Sequence, residues 1–245
     1  MTHAADRIRT SVMAPYSPEI TPTADQISSA FDDARQRMVD DQVRPVEVND
    51  PRIIAAMRTL PREYAVPGNE RQFAYSDLTL PLGNGRYLLQ PMVTARLLQM
   101  ADIRTGQRVL VVGAGTGYLA ALIAMLGAEV VALEEDDTLR AIGISFTDHV
   151  SAVISWTHAS PLSGAPENAP FDLIIFDGAI SEIPRFCSSQ LSENGRVAGI
   201  LRPNDGTSTA FLAEADRSEG WSIHRFFDAE APVLPAFERP AAFAF

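Results

Sequence analysis

The sequence predicts a doubly wound α/β fold with a mostly parallel sheet and a mostly helical N-terminal addition. Three observations carry that prediction. Residues 108–122, RVLVVGAGTGYLAAL, set an apolar run, a glycine turn and helix-forming residues in strand–turn–helix order. Two further runs, EVVALEED at 129–136 and FDLIIFDGAI at 171–180, have the near-continuous hydrophobicity of strands covered on both faces. Strands and helical stretches alternate through this region, the pattern that builds a parallel sheet.

The elements follow in order. Residues 1–27 are rich in Pro, Thr, Ser and Ala without a sustained period and read as a mobile tail. Residues 28–105 form the N-terminal addition, long enough for a wall or lid over a substrate but short of an independent core. Within it Phe31, Ala34, Met38 and Val43 fall on one helical face. NDPRIIAAMRTL at 49–60 is a marked helix: Asp50 caps it, Pro51 suits its first turn, and Ile53, Ile54, Met57 and Leu60 form the buried stripe. LTLPLGNGRYLLQ at 78–90 is extended or looped, punctuated by Pro81, Gly83 and Gly85, and Pro91 opens the next helix. Residues 106–245 form the α/β domain. After its first three runs come a helix-like SEIPRFCSSQL at 181–191, a strand GRVAGIL at 195–201, and a C-terminal strand, loop and final strand.

Composition bounds the function. The formal net charge is −11, which argues against a nucleic-acid partner, because phosphate binding needs clustered Lys and Arg. No apolar run reaches the length of a membrane span, and no basic-then-apolar leader is evident. The expectation is a soluble, cytoplasmic protein. Cys187 is the only cysteine, so an internal disulfide and a cysteine-based metal cluster are excluded. His149, His158 and His224 lack metal-ligand spacing, and no metal site is expected.

The glycine turn selects a ligand class. Glycines after a strand let the backbone approach a ligand closely and aim amide N–H groups at it. Here Gly113, Ala114, Gly115, Gly117 and Tyr118 give G-x-G-x-G followed by tyrosine, so the third glycine of the dinucleotide fingerprint is missing. A phosphate-cradling P-loop also fails, for no Gly-Lys-Ser/Thr follows. About 20 residues on, Glu134 and Glu135 end the second strand, where a carboxylate accepts hydrogen bonds from ribose hydroxyls. Glu134 fits the strand end and Glu135 faces solvent. A nucleoside without phosphates suits this pair, and S-adenosyl-L-methionine is such a ligand.

The segments MVDDQVRP, DPRIIAAMRTLPREYAVP, AYSDLTLPLGNG, QPMVTARLLQM, VLVVGAGTGY, APFDLIIFDGAISEIP and QLSENGRVAGIL, spread over residues 35–245, resemble the protein-L-isoaspartate O-methyltransferases. The resemblance implies a Rossmann-like class I methyltransferase fold and S-adenosyl-L-methionine as cofactor. It also implies methylation of the α-carboxylate of isoaspartyl residues in proteins or peptides, a repair reaction. Gly83, Gly85, Arg86, Gln90 and Pro91 then belong to the acceptor loop, with Arg86 either an anion contact or a solvated charge.

Three positions depart from the family. Its Thr-Ile-Ser ahead of the Gln-Pro corresponds to Tyr87, Leu88 and Leu89, so a serine hydroxyl near the reacting groups is replaced at Leu89. Tyr87 either supplies a hydroxyl from another direction or packs. The family's Gly-Asp-Gly after the third strand corresponds to Ala159, Ser160 and Pro161, leaving Ser160 for the adenine. Val111 replaces the acid that opens the family's glycine turn. One residue is gained: Asp177 stands at the carboxyl end of a central strand where the family has Thr. It is either a base or a metal ligand serving a small-molecule hydroxyl acceptor, or a cap on the turn with Gly178. These departures imply weakened or redirected isoaspartyl activity that Leu89→Ser would raise. A small-molecule O-methyltransferase and a non-catalytic cofactor-binding module are the alternatives.

Overall fold

The computed structural model describes residues 24–203, 206–216 and 220–238. Residues 1–23 of the expected tail and most of the expected final strand lie outside these. The tail boundary itself needs correction. Helix α1 begins at Ala24 and runs to Met38, so residues 24–27 are helical. Met38 and Val43 are buried and Phe31 and Ala34 half-buried, as the helical face predicts, although the turn Val39–Val43 is a π-helix.

Helix α2 spans Pro51–Thr59, and the Asp50 carboxylate caps it by accepting from the Arg52 N–H. An antiparallel hairpin of β1 (Leu80–Gly83) and β2 (Arg86–Leu88) follows, then α3 (Pro91–Ala101). The α/β part contributes β3 (Arg108–Val112), α4 (Tyr118–Met125), β4 (Glu129–Leu133), α5 (Asp137–His149) and β5 (Ile154–Thr157). It continues with β6 (Phe171–Ile180), α6 (Phe186–Gln190), β7 (Leu191–Leu201), β8 (Thr209–Asp216) and β9 (Gly220–Asp228). The sheet order is β5-β4-β3-β6-β7-β8-β9. The first five strands run parallel, and β8 and β9 are antiparallel additions at one edge. Of the helix expected at 181–191 only Phe186–Gln190 is helical, and β8 is a strand beyond those the sequence predicts.

The central strands show why this sheet is covered on both faces. Successive side chains of a strand point to opposite sides. Val109 and Val111 of β3 enter one apolar cluster, and Leu110 and Val112 enter the other. On β6, Leu173 and Ile175 join the first and Ile174 and Phe176 the second. The first cluster also holds Met38, Ile53 and Met57, so the N-terminal addition shares the core of the α/β part. Among the described residues no helix is long and apolar enough to cross a membrane, and no group of His, Cys, Asp and Glu could hold a metal ion.

Candidate functional site

The site forms where the carboxyl ends of β3, β4 and β6 meet, the place where open α/β sheets hold ligands. Gly113, Gly115 and Gly117 all have positive φ, at 70°, 54° and 82°. That left-handed backbone strains residues with a Cβ, so the three-glycine spacing is a conformational requirement. The Gly113 and Ala114 amides donate to the Leu133 carbonyl at 3.0 Å, tying the turn to the end of β4. Gly117 precedes α4, whose first residue, Tyr118, is buried with its ring near Phe146.

Glu134 lies one residue past β4 and is completely buried, while Glu135 is exposed as expected. Its Oε2 accepts from the Gly115 N–H at 2.6 Å and its Oε1 from the Asp136 N–H at 3.0 Å. The remaining acceptor capacity goes to an unforeseen partner. Arg86 Nη1 lies 2.9 Å from Oε1 and 2.8 Å from Oε2, and Arg86 Nη2 donates to the Gly113 carbonyl at 2.5 Å. Arg86 is neither a solvated loop charge nor open to an acceptor anion, for it is only 6% exposed. The hairpin makes this reach possible. Gly83, Asn84 and Gly85 form its tip with φ of 98°, 50° and 71°. Asn84 Nδ2 donates to Asp136 Oδ2 at 2.5 Å, latching the tip to the residue that caps α5.

The N-terminal addition closes the other side. Thr116 Oγ1 donates to the Ala65 carbonyl at 2.6 Å. Arg62, fully buried, donates to the carbonyls of Ala74 at 2.7 Å and Leu89 at 2.5 Å, and its guanidinium lies 4.9 Å from the Tyr118 ring centre. Burial lowers the Arg62 pKa, opposed by Tyr118 and Asp177. Neither Thr116 nor Arg62 stood out in the sequence, since a lone Thr or Arg has no local pattern to mark it.

Other predicted residues are dispersed. Leu89 does not present its side chain to an acceptor anion. It is 2% exposed and packs in a cluster with Val93, Leu97, Ala179 and Ile200. Leu89→Ser is therefore expected to destabilise the fold by about 2–4 kcal/mol through lost apolar burial and a cavity, without restoring a donor. Denaturant unfolding would test this, and unchanged stability would put the side chain elsewhere. Tyr87 is part-exposed and lines a cleft of about 570 Å³ with Gly85, Ser181, Arg202, Val233 and Phe237. Gln90 precedes α3, which Pro91 opens, and donates through Nε2 to the Asp77 carbonyl at 3.3 Å. Ser160 is exposed, its hydroxyl accepting from the Leu162 N–H at 3.4 Å in a local turn.

Asp177 does not cap a turn, because β6 runs on to Ile180. It is buried beside the glycine turn, one residue beyond the Val112–Phe176 pairing of β3 and β6. Desolvation raises its pKa to about 7, against the pull of Arg86 and Arg62. Asp172, at the opposite end of β6, accepts from the Arg108 N–H and the Ser192 hydroxyl, both at 2.9 Å. Cys187 is buried, its thiol pushed up to about 12 by desolvation, which leaves it unreactive.

Leu234 was missed altogether. A methyl group built on Gly113 would sit 3.1 Å from Leu234 Cδ1, and one on Gly178 would sit 2.7 Å from Leu234 Cδ2. The segment carrying it is bridged to Ala179, whose N–H donates to Pro232 O and whose carbonyl accepts from the Leu234 N–H.

Comparison with known proteins identifies the family. The family model described as protein-L-isoaspartate(D-aspartate) O-methyltransferase matches residues 33–223. A protein-L-isoaspartate O-methyltransferase of Methanoculleus marisnigri is 35% identical over 176 residues, 70% of this chain and 78% of that protein. One from Koribacter versatilis is 37% identical over 164 residues, 66% of this chain and 74% of its own length. Among solved structures, a Plasmodium falciparum chain bearing the PCMT name, in complex with S-adenosyl-L-homocysteine, superposes with a TM-score of 0.69. It is 19% identical and covers 82% of this chain and 98% of its own, a likeness of fold. On the family match and the identity to these relatives, the chain belongs to the protein-L-isoaspartate O-methyltransferase family.

Proposed function

We propose that the chain is an S-adenosyl-L-methionine-dependent O-methyltransferase acting on isoaspartyl carboxylates of proteins or peptides. The observation that carries this reading is Glu134, fully buried at the end of β4 and bonded to the glycine turn through Gly115. A buried acid beside a turn of three positive-φ glycines fits a ribose diol next to an amino-acid tail. Gly113, Ala114, Gly115, Gly117, Tyr118 and Glu134 would hold the cofactor, and Ser160 would offer its hydroxyl to the adenine. When bound, S-adenosyl-L-methionine supplies a methyl group on a sulfonium. The acceptor carboxylate is already ionised at neutral pH, so the protein's part is to position and partly desolvate it.

We assign the anionic acceptor to the cleft beside Tyr87, whose wall carries the cation Arg202 and also the carboxylate of Glu238. In an acidic chain that ligand needs local donors, and Arg202, exposed on the cleft wall, fills the anion-contact role that was one of the two alternatives for Arg86. Arg202→Ala should raise the KM for an isoaspartyl peptide about tenfold with a smaller change in kcat, the mark of lost ground-state binding. An unchanged KM would remove Arg202 from the site.

Transfer of labelled methyl groups to an isoaspartyl peptide, with the aspartyl isomer as control, tests the whole reading. Base-labile label on the isoaspartyl peptide alone is expected. Label on neither peptide, with transfer to a phenolic acceptor that Asp177→Asn abolishes, would instead establish the small-molecule reading. The observation favouring that second reading is the buried Asp177, whose pKa near 7 suits a general base.

A further inference from the structure

We propose that Arg86 is an intrinsic competitor for the cofactor's ribose site, so that this chain takes up S-adenosyl-L-methionine only when the β1–β2 hairpin withdraws. This rests on the assignment of Glu134 as the ribose acceptor.

A carboxylate offers about four lone-pair sites. Two of those on Glu134 are used by the amides of Gly115 and Asp136, which belong to the backbone frame and stay in place. The other two, one on each oxygen, face Arg86 Nη1. These are the acceptor sites that Glu134 has left to offer a ribose diol, and the guanidinium already holds both. The same side chain covers the glycine turn. Its Nη2 donates to the Gly113 carbonyl and would stand 2.9 Å from a methyl group built on Gly113, which Leu234 Cδ1 would approach to 3.1 Å. The room that glycine provides for a ligand is thus filled by the chain itself.

The hairpin holds Arg86 in this position. Leu80 and Leu88 are buried on the same face as Arg86, and Leu82 lies under Gly115, where a methyl group would meet its Cδ1 at 3.3 Å. The tip is fastened outside the site, through Asn84 to Asp136 and through Gly85 against Pro235. Asn84 is exposed and its side chain bonds Asp136 Oδ2, so it fastens the hairpin from outside the pair formed by Arg86 and Glu134.

The apparent affinity of a site open for only a fraction of the time is reduced by that fraction. Removing the competitor restores it. Calorimetric titration of S-adenosyl-L-homocysteine into the native chain, Arg86→Ala and Asn84→Ala is the test, with circular dichroism to show that each is folded. Arg86→Ala is expected to bind at least about tenfold more tightly than the native chain, and Asn84→Ala to shift the same way by about two- to fivefold. Equal, tight binding by the native chain and both variants would overturn the competition while leaving the cofactor reading intact. Absence of binding by all three folded proteins would overturn both. Should Arg86→Ala not fold, Asn84→Ala decides alone: tighter binding supports the proposal and unchanged binding refutes it.

Discussion

Glu134→Ala is expected to destabilise the fold by about 3–5 kcal/mol, the cost of leaving a buried charge without its partner. Arg86 is 6% exposed and Glu134 not at all, so water cannot replace the lost carboxylate without local opening. The substitution also strands the Gly115 and Asp136 amides, each bonded to a Glu134 oxygen. Glu134→Gln should cost less, because one amide oxygen still accepts from a backbone N–H while the charge on Arg86 stays unpaired. The pair itself need not be stabilising. Desolvating two ions opposes their attraction, and apolar replacement of both partners is often close to neutral. Arg86→Met combined with Glu134→Leu should therefore recover much of what Glu134→Ala loses. Urea unfolding of the variants supplies the comparison. A loss below about 1 kcal/mol for Glu134→Ala would show that the guanidinium escapes to solvent, which would also weaken the case that it blocks the cofactor.

The backbone of this site was legible in the sequence, and its side-chain traffic was not. The Gly113–Gly117 spacing, the apolar runs of β3 and β6, and an acid about 20 residues beyond the turn all report on local backbone geometry and sheet burial. Strand burial follows a fixed period and the glycine spacing answers a local φ requirement, so a single chain exposes both. Where Arg86 points depends on the register of the hairpin. Leu80 pairs with Leu88, Pro81 with Tyr87 and Gly83 with Arg86, with a bulge between Pro81 and Gly83. Strand alternation then puts Arg86 and Leu88 inward and Tyr87 outward. That parity was available: a buried leucine two residues from an arginine in an extended segment places both on one face. The sequence leaves the segment extended or looped, and without a defined register the alternation does not decide between a contact and a solvated charge for Arg86. Alternation alone would set Leu89 on the side of Tyr87; Leu89 is buried where the chain has left β2 and turns into α3. Leu234 and Arg62 could not be placed this way. Their contacts come from segments brought together only by the complete fold.

Asp177 should make stability fall with rising pH across a range where most carboxylates have no such effect. Its carboxyl is buried beside the glycine turn, and desolvation lifts its pKa to about 7 even though Arg86 and Arg62 favour the charged form. In the unfolded chain the same group ionises near the ordinary aspartate value, about 3.9. Between about pH 4 and pH 7 the folded state therefore holds a proton that the unfolded state has released. Stability changes with pH in proportion to the protons bound unfolded minus those bound folded, which is negative here. The native chain should accordingly lose stability from about pH 4 upward and complete that loss once the folded group has ionised near pH 7. A shift of about three pKa units corresponds to roughly 4 kcal/mol, to be read as an order of magnitude. Asp177→Asn keeps the shape and cannot ionise. The variant should match the native chain near pH 4.5 and exceed it by a few kcal/mol at pH 8, by denaturant unfolding at each pH. Parallel profiles for the two proteins would mean that Asp177 stays charged throughout, held by Arg62 and Arg86. The same group could then not exchange a proton with an acceptor near neutrality, so the stability profile also bears on whether Asp177 can act as a base.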